Sequence, residues 1–223
     1  DASSILPLHN KVDLADDAWQ LFKDSIGSRQ IERLRVVGSN DVTAPIIEKS
    51  YKRFLKIMEN HLSNFPFLFG YRPSSADFAI YGQLTQLIGL DPTSRAIAHK
   101  LSLRTTAWVD NMEDMSGLNP NDNPWETFET LSENMKLILE EIGRSYVPAL
   151  LANSRAIENG EEVWETEIDG AKWSQNTFNY QAKCLQWINA EFFSLSSDDQ
   201  KRILDLFNGT GCAVSYTHLR AHE

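Results

Sequence analysis

The chain has 223 residues, 42% of them hydrophobic and 10% aromatic, which is enough to close a substantial core and excludes global disorder. Its 31 acidic residues against 21 basic ones give a formal charge of −10, which argues against a nucleic-acid backbone or an anionic membrane surface as partner. No stretch approaches the roughly 20 apolar residues of a membrane-spanning helix.

Residues 1–13 contain Pro7 and little periodicity, and read as a linker arriving from an upstream domain. The first residue is Asp and no secretory or transit signal follows, so the chain is expected to be a fragment or a processed form. From Leu14 to about Val37 the pattern is helical but interrupted. Trp19, Phe22 and Ile26 recur at helical spacing, Gly27 and Ser28 bend or break the run, and Ile31 and Leu34 resume it. Gly38 to Ala44 is a polar turn ending at Pro45, a favoured first-turn residue. The helix predicted over 45–63 carries Ile47, Tyr51, Phe54, Met58 and Leu62 on one face, with Lys49, Lys52, Arg53, Lys56 and Glu59 on the other.

Next comes a helix start that can be read letter by letter. Ser74 stands at an N-cap position with Asp77 three residues later, a capping box with Asp in place of the commoner Glu. Gly70 is free to take a positive φ, and Pro73 sets the entry angle. Phe78, Tyr81, Leu84 and Ile88 then recur at helical spacing, so the helix near Ser74–Leu90 is expected to be the most buried in the chain.

Asp91-Pro92-Thr93 punctuates, and a helix over about 93–115 carries Ile97, Leu101, Trp108 and Met112. Gly117 to Pro124 is a polar loop. A long helical region over 125–158 has Leu131, Met135, Ile138, Ile142 and Tyr146 as its stripe, kinked or divided at Pro148. Alternation at Trp164, Thr166 and Ile168, an Asp169-Gly170 turn, then Ala171 and Trp173, predict a β-hairpin near 163–173. Helix resumes over 177–195, and a last helix, capped from among Ser196, Ser197, Asp199 and Gln200, ends near Phe207. Residues 213–223 read as a tail foreign to the fold or disordered.

The string Gly70-x-x-Pro73-Ser74-x-x-Asp77-Phe78 resembles the capping-box and hydrophobic-staple segment in the C-terminal helical domain of cytosolic glutathione transferases. The surrounding FLFGYRPSSADFAIYGQL is similar to that family's sequence of apolar run, glycine, cap, Ala-Asp and apolar helix. The family often has Ile or Leu where Pro73 stands, which weakens the staple and leaves the cap intact. The resemblance implies an all-α fold: a glutathione-transferase C-terminal-like helical domain over 14–117, a helical extension over 118–212 carrying the short hairpin, and a linker before them. In that family the capping residues are folding elements. The thiol is bound and activated by an N-terminal thioredoxin-like domain with a βαβαββα pattern, a cis-proline and a Ser-x-Ala-Ile-like cradle, and none of these motifs occurs here.

Within the chain, the first helix carries residues suited to the wall of an electrophile site: Trp19 and Phe22 as apolar surface, Lys23 and Arg29 as cations able to meet a carboxylate. Trp108 is a further candidate. The competing reading of each is a core aromatic or a solvated surface charge. The five histidines are scattered, with no spacing that holds a metal. Only two cysteines, Cys184 and Cys212, argue against a disulfide framework and fit a reducing, cytoplasmic compartment. Cys184 beside Leu185 reads as a small apolar residue, and the acidic run from Glu158 to Glu167 as a solvated face.

Three functions compete. The first is the electrophile-site half of a glutathione S-transferase-like protein, conjugating glutathione to a small hydrophobic electrophile in its parent. There glutathione is a co-substrate, the partner is the missing thioredoxin-like domain, and the parent is a homodimer. The chain by itself binds no cofactor and is expected to be inactive. The second is a non-catalytic module of the same fold used for protein–protein interaction. The third is an unrelated helical bundle sharing only a capping box.

Overall fold

The computed structural model describes residues 2–119 and 125–217. It is 67% helix with one two-stranded sheet among the described residues, so the all-α class with a short hairpin stands. The chain divides into two compact units, Asp1–Val37 with Met58–Glu126, and Gly38–Ile57 with Thr127–Glu223. These are not the consecutive stretches 14–117 and 118–212 expected from the order of the elements. Residues 38–57 group with the later part of the chain, where Lys49 and Arg53 bind Asp169 of the hairpin turn, as described below.

In the first unit, residues 2–10 of the expected linker form helix α1 (Ala2–Asn10), with Pro7 buried inside it. Helix α2 (Asp16–Arg33) runs through Gly27 without a break and ends in a 3₁₀ turn over Leu34–Val37. A mid-helix glycine costs about 1 kcal/mol but does not stop a helix. A Cβ on Gly27 would lie 3.6 Å from Ser3 Oγ, an ordinary contact, so the packing of α1 does not require glycine here. Helix α3 (Ala44–His61) supplies its last residues to this unit, where His61 is buried with Nε2 2.9 Å from the Phe67 carbonyl.

Helix α4 (Ser75–Leu84) continues into a π-helical turn over Thr85–Leu90. Leu84 and Ile88 are buried as expected, but Phe78 is 49% exposed, and α4 is not the most buried helix. The correction has a local cause. The buried side of the first turn is occupied by Asp77, and Phe78, one residue on, is rotated away from it. The helix expected over 93–115 is two helices, α5 (Pro92–Leu101) and α6 (Leu103–Met112), divided at Ser102. The Ser102 backbone leaves the helical region at φ −154° and ψ 86°, its hydroxyl caps α6 by accepting from Thr105 N–H, and it bonds Glu59 on α3 at 3.0 Å. A residue that competes this well as a cap ends the preceding helix. Thr105, Trp108, Val109 and Met112 of α6 are buried.

In the second unit, helix α7 (Glu133–Glu141) is capped by Ser132, passes into a π-helical turn over Ile142–Tyr146, and leads into α8 (Val147–Glu158). The region expected to be helical from 125 thus begins at Glu133. Trp125 instead makes an isolated β-bridge with Gly70 in the first unit, which has φ +107°. Pro148 falls in the first turn of α8, where a missing N–H is tolerated. The π turn also shifts the apolar stripe. Met135 and Ile138 before it are buried, whereas Ile142 and Tyr146 within it are 38% and 44% exposed.

Strands β1 (Val163–Ile168) and β2 (Ala171–Asn176) form the expected hairpin in antiparallel register, Trp164 opposite Gln175 and Ile168 opposite Ala171. Its turn has positive φ at both Asp169 and Gly170. Trp164 and Ile168 are buried on one face. Helices α9 (Asn179–Ser194) and α10 (Ser197–Leu206) follow, α10 capped by Ser196. Residues 214–217 of the expected tail form a helical turn, α11 (Val214–Thr217), and the Tyr216 ring lies 4.3 Å from Phe192 and 5.7 Å from Phe207. Disorder is therefore corrected for this turn. A tyrosine finds an apolar groove whatever the origin of the segment that carries it. The remaining tail, 218–223 with His218 and His222, lies outside the described residues, as do residues 120–124 of the polar loop.

Candidate functional site

The segment most specific in sequence is built as a buried polar anchor. The reciprocal capping pair of Ser74 and Asp77 is present. The Asp77 side chain is fully buried and accepts from Leu68 N–H at 2.8 Å, Ser74 N–H at 2.8 Å and the Ser74 hydroxyl at 2.7 Å. The bond to Leu68 reaches back nine residues and ties the apolar turn before the helix to the helix start. A carboxylate accepting several backbone N–H groups is well compensated for burial. Among the described residues these are the hydrogen bonds of its side chain, and all of them serve the helix start, so its role is structural.

The residues proposed for an electrophile wall fall into two places. Trp19, Phe22, Lys23 and Arg29 lie on one side of α2. Trp19 is half-buried, and its indole N–H donates to the Ser4 carbonyl at 2.8 Å, which pins α1. Lys23 Nζ sits 5.2 Å from the centre of the Trp19 ring, a cation–π contact. Phe22 is 55% exposed and Arg29 is exposed. Trp108 is elsewhere: it is 5% exposed in α6 and donates to the Pro66 carbonyl at 2.9 Å, a core tryptophan with a satisfied N–H. The α2 group can present an aromatic surface edged by two cations.

The second unit contains an ion network that periodicity did not reveal. Arg53 of α3 donates from Nε to Glu141 at 2.7 Å and from Nη1 to Asp169 at 2.8 Å. Lys49 and Arg144 reach the same Asp169 carboxylate at 3.3 and 3.5 Å. The Asp169 side chain is nearly buried. Burial acts to raise its pKa, but the hydrogen bond and charge of Arg53, with Lys49, outweigh that and hold it below the ordinary carboxylate range. The sequence places Lys49 and Arg53 on the side of their helix opposite its apolar stripe. In sequence a charged residue is the same letter whether water or a carboxylate meets it. The Asp-Gly turn was legible, but not that its carboxylate would clamp α3.

A cavity of about 400 Å³ opens between α8 and β1, lined by Val147, Leu151, Arg155, Trp164 and Glu165 among others. The buried Trp164 indole N–H has no hydrogen-bond partner among the described residues. None of the five sequence-proposed wall residues lines it. Cys184 is half-buried and Cys212 buried, and both are free thiols. Burial pushes the Cys212 thiol up, and its sulfur donates to the Leu139 carbonyl at 3.1 Å. Among the described residues no group of three or more His, Cys, Asp or Glu is placed to hold a metal ion, and no helix is long and apolar enough to cross a membrane. No family model, no curated protein and no solved structure matches the chain.

Proposed function

We propose that this chain is the electrophile-site half of a cytoplasmic glutathione S-transferase-like protein that is dimeric in its full-length form. The observation that carries the reading is the Gly70–Phe78 segment. That resemblance is accompanied by a capping pair that is formed, with its Asp77 buried and tied back to Leu68. Helix α2 adds support. None of its residues is buried, and Leu21, Phe22 and Ile31 are each more than half exposed. Large apolar side chains left bare in this way suit a partner domain that covers them.

In this reading Trp19 and Phe22 supply the apolar wall for a small electrophile, and Lys23 and Arg29 meet a carboxylate. The thiolate is generated elsewhere. Glutathione attacks as the thiolate, and lowering a thiol pKa takes fixed donors or a helix N-terminus aimed at sulfur. Binding an electrophile without activating its nucleophile yields little rate. The test compares this chain with a version extended upstream through a thioredoxin-like segment, at equal concentration with glutathione and an aryl halide. The extended protein is expected to turn over and the short chain is not. Retention of the extended protein on immobilised glutathione without turnover would favour the non-catalytic module. An upstream reading frame with no thioredoxin-like pattern would sink both in favour of an unrelated bundle.

A further inference from the structure

Three places in the chain have a side-chain carbonyl beside a glycine nitrogen: Asn159-Gly160, Asp169-Gly170 and Asn208-Gly209. Glycine lacks the Cβ that hinders attack of its own nitrogen on the preceding side chain, so each is a chemical candidate for ring closure. Their surroundings differ sharply. At the end of α8 the Asn159 amide donates to Glu161 at 3.3 Å, and Gly160 N–H donates to the Ile157 carbonyl at 3.0 Å. Both reacting groups are held. The Asp169 carboxylate is ionised and gripped by Arg53, Lys49 and Arg144, and a carboxylate anion is a poor electrophile.

Asn208 is exposed just beyond α10. Among the described residues its side chain makes no hydrogen bond, and Gly209 N–H donates to none. The residues that follow are fixed tightly. Thr210 Oγ1 donates to the Phe207 carbonyl at 2.8 Å and accepts from Cys212 N–H at 3.2 Å. Gly211 passes so close to Gly143 of the π turn that a Cβ there would lie 3.3 Å from the Gly143 Cα. Cys212 is 5% exposed, its sulfur bonded to Leu139.

We propose that Asn208-Gly209 is a site of spontaneous deamidation in the folded protein, and that its conversion loosens the 210–212 loop and exposes the Cys212 thiol. The Gly209 nitrogen attacks Asn208 Cγ, forming the N–Cγ bond. The Cγ–Nδ2 bond breaks, and ammonia leaves with the nitrogen's proton. Water then opens the succinimide. Attack at Cγ gives aspartate; attack at the former main-chain carbonyl gives isoaspartate, with the chain now running through Cβ. No electron transfer is involved. Isoaspartate lengthens the main chain by one carbon immediately before a loop packed backbone to backbone against Gly143, a contact that has no slack to absorb it.

The inference does not depend on the transferase reading. Its test is incubation of the full chain at mildly alkaline pH, with peptide mass mapping over time, in buffer and in guanidinium chloride. In buffer the peptide containing Asn208 is expected to gain one mass unit and split into two isomers several times faster than the peptide containing Asn159. In denaturant the two rates should converge, since the protection of Asn159 is structural. Alkylation of Cys212 by iodoacetamide should rise with the isoaspartate fraction, and an Asn208→Gln chain should show neither change. Equal rates at the two sites in buffer, or conversion at Asn208 confined to denaturant, would overturn the site. Isoaspartate accumulating while Cys212 stays protected would overturn the coupling to the loop.

Discussion

At the scale of single residues, the capping pair is chemically reciprocal but energetically lopsided. Ser74→Ala removes one hydroxyl at a half-buried cap and should cost about 1 kcal/mol. Asp77→Ala strands the Leu68 and Ser74 N–H groups as well, and should cost about 3 kcal/mol. Equal losses for the two variants in urea denaturation would mean that the Leu68 bond is not made. A capping box read from sequence names two residues and not the third group that the carboxylate reaches. Asp169 supplies a test of opposite character. Its folded pKa is depressed, so its contribution to stability is fully present above the unfolded carboxylate range and is lost as pH falls through its folded value. Asp169→Asn should therefore destabilise the protein at pH 7, while Asn-Gly still suits the turn. The gap between variant and parent should close as the solution is acidified below the ordinary Asp range. A gap that stays constant with pH would show that the ion network contributes nothing.

At the scale of elements, the π turn over Ile142–Tyr146 is held by a close approach of two backbones. A Cβ on Gly143 would fall 2.0 Å from the Thr210 carbonyl oxygen and 2.8 Å from the Gly211 carbonyl carbon. Both obstacles are main chain, so neither can turn aside as a side chain would. Gly143→Ala should cost on the order of 1–3 kcal/mol as an overpacking change, although alanine is the better helix former. It should also raise Cys212 alkylation, because the same loop carries Cys212. A stabilised Gly143→Ala protein would mean that the loop does not rest on the π turn. The π turn explains a second feature of this element. Its extra residue rotates Ile142 and Tyr146 out of the stripe that Met135 and Ile138 begin.

At the scale of the whole molecule, the bare surface of α2 governs behaviour in solution. With Leu21 at 73%, Phe22 at 55% and Ile31 at 70% exposure, the chain is expected to self-associate in a concentration-dependent way. Sedimentation velocity at two or more concentrations measures this. The double change Phe22→Ser and Ile31→Ser should shift the distribution towards monomer. It should move folding stability by no more than about 0.5 kcal/mol per site, as for other surface substitutions. A fully monomeric parent chain would remove the case for a partner over this helix.

What the sequence determined by itself was local. The start at Ser74, the Asp169-Gly170 hairpin and a cap for the last helix from among Ser196, Ser197, Asp199 and Gln200 each depend on residues within a few positions of one another, so a short window contains their cause. The helical class was legible for the same reason, since a 3.6-residue period is a local property. What only the tertiary structure decided was which groups separated in sequence meet. Whether Arg53 faces water or Glu141 and Asp169 depends on elements 88 and 116 residues away. Phe78 shows the limit most plainly. Its spacing places it on the apolar face, but the buried side of that turn is taken by Asp77, whose three hydrogen bonds offset the burial of its charge. The same holds for α2. Its residues name a helix, and only the packing shows that this helix finds no core of its own to bury against.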